Sequence, residues 1–418
     1  MDEVKKKEVL YISYDGMTDP LGQSQVLPYI TGLAQKGFQF TLISFEKKER
    51  FENERNIIED ICSQYQIDWH PLPYTKKPPV LSTIKDLKNL KRTAEKLHKL
   101  KNFEIVHCRS YIPALAGVWM QKKWSIKFIF DMRGFWADER VDGGLWNLKN
   151  PVFNLIYNYF KKQEKKFLSK ADYVISLTYN AQKNIHERKE ILNQPIPIQV
   201  IPCCVDLHLF DPANIDREKQ DELKNKLSIP AGNKVISYIG SIGTWYMLPE
   251  MLAFFKRYLR KYPGSIFLFV TKDTPQKILN EAKALGIEAA SIRIRSAARK
   301  EVPLYISICD FSLFFIKPAF SKKASSPTKQ GEIMAMGKPV ICNSDVGDTD
   351  YVVKKYASGI VINQFSDEAY EKAISTLDNQ EFYTETIRKG AIDFYSLEEG
   401  VIKFYQIYQA LIGANQKI

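Results

Sequence analysis

Short apolar runs alternate with amphipathic helical segments along this 418-residue sequence, and that alternation leaves few folds open. A continuous apolar run of strand length suits a strand buried on both faces, as in a parallel sheet covered by helices. Val9-Leu10-Tyr11-Ile12-Ser13 is the first. Residues 14–23, with Gly16, Pro20 and Gly22, read as a loop. Residues 26–35 then read as a helix with Val26, Leu27, Ile30 and Leu33 on one side. Gly37 ends that helix and Phe40-Thr41-Leu42-Ile43-Ser44 is the next strand, which makes a βαβ unit. Further strands are expected at 104–109, 127–131 and 171–178. The pattern restarts at 234–241 and continues through 266–271, a short edge at 292–296, then 309–316, 340–342 and 359–362. The length is too great for one ordinary domain and suits two of roughly 200 residues. Pro195, Pro197 and Pro202 mark a boundary between the halves. The fold class expected is therefore α/β, with two doubly wound domains and a site in the cleft between them.

Composition narrows the function. Apolar residues make up 45% of the chain, enough for real cores. No uncharged apolar run reaches about 18 residues, so no membrane-spanning helix is expected. The first residues, Met1 to Glu8, lead straight into a strand without a signal-peptide core, so export is not expected. The six cysteines show no C-x-x-C spacing and read as buried thiols. The five histidines include no H-E-x-x-H pair, and no metal or other cofactor is expected. A net charge of +12 calls for acidic partners: nucleic acid, anionic lipid or a phosphorylated substrate. Much of it sits on two helical stretches, 85–101 and 151–170. The first carries Lys85, Lys88, Lys91, Arg92, Lys96, Lys99 and Lys101 around a stripe of Leu87, Leu90, Ala94 and Leu97. A solvated face is the ordinary reading, and contact with anionic headgroups the other.

Three stretches carry chemistry. In residues 325–341, Ser326 suits a helix N-cap, Pro327 the first helical position and Gly337 the residue that ends the helix. A helix start favours an anion. Lys329 in its first turn makes more sense with a phosphate nearby, and Glu332 could accept from a ribose diol. The loop at 14–23 follows a strand but lacks the G-x-G-x-x-G spacing of a dinucleotide site. Finally, Asp131-Met132-Arg133-Gly134-Phe135-Trp136-Ala137-Asp138-Glu139-Arg140 is dense in charge and aromatics at the end of a strand, where ligands of such sheets bind. Asp131, Arg133 and Asp138 could contact a sugar, and Trp136 could stack on one. His107, at the end of another strand, is more readily a satisfied structural histidine.

The order Ser-Pro-Thr-Lys-x-x-Glu-x-Met-Ala-x-Gly-Lys-Pro-Val-Ile, at 326–341, resembles the donor-site signature of the family-four (group 1) retaining glycosyltransferases of GT-B fold. The stretch Val200-Ile201-Pro202-Cys203-Cys204-Val205-Asp206 resembles that family's interdomain segment. The resemblance implies two Rossmann-like domains facing across a cleft: an acceptor domain at 1–198 and a nucleotide-sugar domain at 199–394. A C-terminal helix at 395–418 would cross back to the first. It implies an enzyme, a transferase moving a sugar from a nucleotide-diphosphate donor to an acceptor hydroxyl. The expected setting is cytoplasmic synthesis of a bacterial surface glycan, at the inner face of the membrane and on a glycan or lipid-linked acceptor. Donor contacts are expected from Gly22, Gln23, Gly240, Ser241, Arg295, Ser326, Thr328, Lys329 and Glu332. Catalytic contacts are expected from Asp131 and Arg133, and acceptor or sugar contacts from Trp136, Asp138 and His107.

This chain departs from the family at two places. Ala324 stands where many members have a second acidic residue. Gly240-Ser241 and Trp245-Tyr246 stand where many have an Arg and a Lys that neutralise the diphosphate. Lys329, the helix start at Ser326, and Lys317 or Arg295 are the groups left to meet that charge. The other readings are a GT-B nucleotide-sugar 2-epimerase and a non-catalytic basic protein of a membrane surface or of nucleic acid. No nucleic-acid module is evident, so nucleic acid is not expected as a partner.

Overall fold

The computed structural model describes residues 6–78, 80–189, 191 and 196–413. The start of the chain and Pro195, both used above, lie outside them. The chain divides into two compact units, Met1–Pro202 with Leu397–Ile418, and Cys203–Ser396.

The first unit is built on seven parallel strands: β1 (Lys7–Ser13), β2 (Phe38–Glu46), β3 (Asp68–Pro73), β4 (Ile105–Arg109), β5 (Lys127–Asp131), β6 (Tyr173–Ser176) and β7 (Ile198–Val200), in the order β3-β2-β1-β4-β5-β6-β7. The order reverses at β1, which lies between β2 and β4 with Val9 opposite both Phe40 and Ile105. That reversal is where ligands of doubly wound sheets bind. β3 has no counterpart in the sequence reading, because Asp68-Trp69-His70-Pro71-Leu72-Pro73 looks unlike a strand. It tolerates two prolines because it is the edge of the sheet, where a missing N–H costs no ladder bond.

Two helices follow β1, Pro20–Gln25 and Leu27–Ala34: the second is the helix expected at 26–35, and the first takes up part of the expected loop, which ends at Asp19. Gly22 lies in the first of these and packs on the loop itself. A Cβ there would stand 2.2 Å from the Gly16 carbonyl oxygen and 2.6 Å from the Met17 Cα. Glu46, at the end of β2, ties the same loop down by accepting from Met17 N–H at 2.7 Å and from the Thr18 hydroxyl at 2.5 Å. The C-terminal helix, Leu397–Gly413, belongs to this unit and packs on Leu27–Ala34. Gly32 makes room for Val401, and Phe404 sets its ring edge-on to Tyr29.

The second unit has six parallel strands: β8 (Val235–Ile239), β9 (Ile266–Val270), β10 (Ile292–Arg295), β11 (Phe311–Leu313), β12 (Val340–Asn343) and β13 (Gly359–Ile362), in the order β10-β9-β8-β11-β12-β13. The order reverses again, at β8. Its strands are almost wholly buried, and Phe267, Phe269, Tyr238, Phe254 and Phe255 fill the core around them. All six cysteines of the chain are buried thiols. Among the described residues no helix is long and apolar enough to cross a membrane.

Candidate functional site

In the second unit the site grows from the helix Thr328–Ala335, which lies between β11 and β12 in the chain. Its end is as expected. Gly337, at φ +66°, closes it, with Gly337 N–H donating to Met334 and Lys338 N–H to Ile333. Its start differs. The helix begins at Thr328 rather than Pro327, and no side chain caps it. The Ser326 hydroxyl is turned elsewhere, accepting from Cys203 N–H at 3.1 Å. The N–H groups of Thr328 and Lys329 therefore donate to nothing among the described residues.

Lys329 is 7% exposed, and its Nζ makes no hydrogen bond. It lies 3.6 Å from the ring centre of Tyr246 and 3.9 Å from that of Tyr238. Two desolvated cation–π contacts return about 2 kcal/mol each, whereas taking an ammonium from water costs several kcal/mol. Burial holds the Lys329 pKa well below the usual lysine range, and the charges of Glu332 and Asp273 offset only part of that. Tyr246 is itself pushed up to about 12, chiefly by burial, so it remains a neutral ring.

The turn after β8 faces this lysine. Gly240, at φ +104°, has its Cβ direction 3.5 Å from Lys329 Nζ. Asp273 fixes the turn, accepting from the Ser241 hydroxyl at 3.0 Å and from Ile242 N–H at 2.5 Å. Tyr238 donates to the Ser241 carbonyl at 2.6 Å. One turn further along the helix, Glu332 accepts from Arg299 at 2.7 Å, and Arg299 lies over the Phe210 ring. Lys322 lies 3.6 Å from the ring centre of Trp245. The two aromatics that replace the expected basic residues thus each carry a lysine. The arrangement offers one buried amine, two free N–H groups and a carboxylate on one short helix, which suits an anion joined to a diol.

In the first unit the centre is Asp131, at the end of β5 and 1% exposed. His107 Nε2 lies 3.6 Å from one of its oxygens and Arg133 3.8 Å from the other. Burial raises the Asp131 pKa, but the charges of Arg133 and Arg109, with the His107 ring alongside, outweigh it and leave the carboxyl below its usual range. The other nitrogen of His107, Nδ1, meets the Tyr408 hydroxyl at 2.7 Å. Burial also holds the His107 pKa down, so the ring is neutral. Arg133 is held at φ +56° and Ser110 at φ +71°, a conformation that side chains seldom adopt and that gathers at functional sites. Ser110 N–H donates to the Asp131 carbonyl, which fastens these two strained strand ends together. At the end of β4, Arg109 pairs with Asp15 of the loop after β1.

Comparison with known proteins gives this geometry a family. The family model described as Glycosyltransferase Family 4 matches residues 24–209, and that described as Glycosyl transferases group 1 matches residues 219–392. This chain belongs to the group 1 glycosyltransferases. Solved structures agree on the GT-B fold. A glycosyltransferase from Rickettsia africae is 18% identical with a TM-score of 0.71, covering 97% of this chain and 99% of its own. WaaG, a glycosyltransferase involved in lipopolysaccharide biosynthesis, is 16% identical with a TM-score of 0.67, covering 96% and 99%. Anabaena HepE, solved with UDP and glucose, is 11% identical with a TM-score of 0.68, covering 96% and 99%. No curated protein matches by sequence.

The structure of this glycosyltransferase sorts the residues expected at its site. Gly240, Ser241, Thr328, Lys329 and Glu332 come together, with Ser326 just ahead of the helix. Arg295 does not join them, since it is exposed at the edge strand and its guanidinium donates to the Ile294 carbonyl at 2.8 Å. Four residues on, Arg299 is the arginine that reaches the site. Ala324 is buried. Gln23 lies beside the buried Gly22 on the helix Pro20–Gln25.

Three sugar-contact expectations are corrected. Tyr111 stacks on Trp136, Arg140 lies over the same ring, and Trp146 and Phe160 meet it edge-on, so the indole is packed. Both carboxylate oxygens of Asp138 are engaged, by Tyr157 and Lys161 at 2.8 Å each. His107 is enclosed and stands behind Asp131. Arg299, Asp273, Tyr238, Asp15 and Tyr408 escaped the sequence reading, because each lies far along the chain from the group it serves. Among the described residues, no group of three or more His, Cys, Asp and Glu side chains could hold a metal.

Proposed function

We propose that this enzyme transfers a sugar from a nucleoside-diphosphate donor to an acceptor hydroxyl with retention at the anomeric carbon. The observation that carries the reading is the helix Thr328–Ala335, with Lys329 buried without a hydrogen-bond partner and Glu332 one turn on. The free N–H groups of Thr328 and Lys329, the Lys329 amine and the Gly240–Ser241 turn receive the diphosphate. Glu332 receives the ribose. On the first unit, Arg133 beside Asp131 meets the acceptor. Departure of the diphosphate leaves an oxocarbenium-like sugar, and the positive groups stabilise the charge that develops on the leaving oxygens. No residue is proposed as a covalent nucleophile, and no protein-bound metal is part of the reading. HepE was solved with UDP and glucose, which supports a uridine donor as the first to test. Incubation of enzyme and radiolabelled UDP-sugar with and without a lipid-linked glycan acceptor tests the reaction. Acceptor-dependent incorporation supports transfer, and a new UDP-sugar epimer formed without acceptor supports the epimerase instead.

The acceptor is proposed to be a glycan or lipid-linked glycan of the bacterial surface, met at the inner face of the cell membrane. The helix Pro151–Lys170 supports this. It exposes Val152, Leu155 and Tyr159 at helical spacing, with Lys162 and Lys166 continuing the same stripe. Leu155 alone is 72% exposed. Apolar side chains beside lysines suit an anionic bilayer surface. Sedimentation with vesicles containing phosphatidylglycerol at low salt tests this, and a protein left in the supernatant would end the membrane part of the reading.

A further inference from the structure

The second unit has a pocket at the other end of its sheet from the start of the helix Thr328–Ala335. Its volume is about 490 Å³. It lies where β8 and β11 begin, between the helix Arg217–Lys226, residues 229–235, residues 307–310 and Lys338. Ile229, Val235, Ile308 and Cys309 give it a buried apolar floor. β8 is five residues long, which at about 3.3 Å per residue separates this end from the Gly240 turn by roughly 17 Å.

The rim is cationic, and its charge is not balanced from within. Lys224, Lys234, Lys338 and one carboxylate, Asp310, line it. Asp310 is already engaged: one oxygen takes Lys234 at 3.0 Å and the other accepts Val235 N–H at 2.8 Å. Lys224 and Lys338 make no hydrogen bond or ion pair with any described residue, and the charge of Lys224 bears on Lys338. The nearby helix end gives Lys224 no task, because Arg293 already caps it, donating to the Leu227 carbonyl at 2.5 Å and to the Ser228 carbonyl at 2.9 Å. Burial pulls the Lys338 pKa below the lysine range; Cys309 and Asp310 offset part of that, and Lys224 adds a smaller push in the same direction as burial. Two lysines on the rim of an apolar floor, neither with an ion-pair partner among the described residues, lack one component, a counter-anion. The volume falls within the roughly 300–1,000 Å³ of small-molecule sites, with room for a carbon body as well as a phosphate.

We propose that this pocket is a second anion site, which takes a phosphorylated small molecule with its phosphate between Lys224 and Lys338. The site is independent of the donor reading, since it shares no residue with it.

Inorganic pyrophosphate is the probe, and Lys329→Met removes the donor-side amine so that the two sites separate. The Lys329→Met protein is expected to bind pyrophosphate by calorimetry. Adding Lys224→Met and Lys338→Met should weaken that binding at least tenfold. Lys224→Met alone in the same background, at a half-exposed position, should weaken it at least threefold with thermal unfolding unchanged. On the wild-type enzyme, pyrophosphate should slow acetylation of Lys224 and Lys338, read by mass spectrometry. The proposal is overturned if Lys329→Met binds no pyrophosphate, if the lysine changes leave its affinity as it was, or if neither lysine is protected.

Discussion

Lys329 Nζ sits 3.6 Å from the ring centre of Tyr246, and among the described residues no carboxylate comes within ion-pairing distance of it. The amine is in place for a charge the free protein does not carry. Lys329→Met keeps the volume and removes the desolvated amine, so the apo protein should gain stability, by about 1 kcal/mol or more. The same change should weaken nucleoside-diphosphate binding at least tenfold, about 1.4 kcal/mol. Thermal unfolding and calorimetry on one preparation check both. A variant that is less stable and binds as well as wild type would mean that Lys329 only packs.

The pH dependence of binding has a definite sign. The Lys329 pKa is depressed in the free protein, chiefly by burial, and an anion beside it would raise it again. Binding therefore takes up a proton between the two values, and affinity falls as pH rises from the depressed value towards the ordinary 10.5. Titration of UDP in buffers of different ionisation enthalpy should show net proton uptake in that window, lost in Lys329→Met. Equal heats in all buffers at every pH up to the ordinary 10.5 would contradict it.

His107 and Tyr408 are the corresponding pair in the first unit, joined at 2.7 Å across 301 residues of chain. Tyr408→Phe leaves the buried Nδ1 of His107 without a partner, which costs about 1–3 kcal/mol. If the ring orients Asp131, turnover should fall more than acceptor KM rises, and Tyr408→Phe and His107→Gln together should cost little more than either alone. The His107 pKa also fixes a trend. The folded form holds it down through burial while the unfolded chain titrates near 6.5. Below that pH the unfolded state binds more protons, so stability falls as pH drops, and His107→Gln should flatten that part of the profile. Chemical denaturation from pH 5 to 8, the range in which histidine titrates, checks it.

The fold was legible because buried parallel strands announce themselves as continuous apolar runs. β5 and β13 begin and end where the sequence places them. β3 was hidden because an edge strand tolerates prolines, and the helix Pro20–Gln25 was hidden because its Pro20 and Gly22 read as a loop. The donor-side helix was legible through local chemistry: a proline, a lysine and a glycine at fixed spacing. Its partners were not, since Tyr238, Tyr246 and Arg299 reach it only once β8, with β9 and β10 beyond it, pairs with β11. Trp136 and Asp138 were read as ligand contacts because exposed and buried aromatic clusters look alike in one dimension. What decided between them was Tyr111, Tyr157 and Lys161, which the sequence places on two other helices.

The central claim is that the helix Thr328–Ala335 holds a nucleotide through Glu332. Calorimetric binding of UDP, GDP and ADP to wild type and Glu332→Ala, in EDTA, tests it most directly. The account predicts that one nucleotide binds without metal and that Glu332→Ala weakens it at least tenfold, about 1.4 kcal/mol, while unfolding stays cooperative. Binding of no nucleotide, or equal binding to wild type and Glu332→Ala, would contradict it.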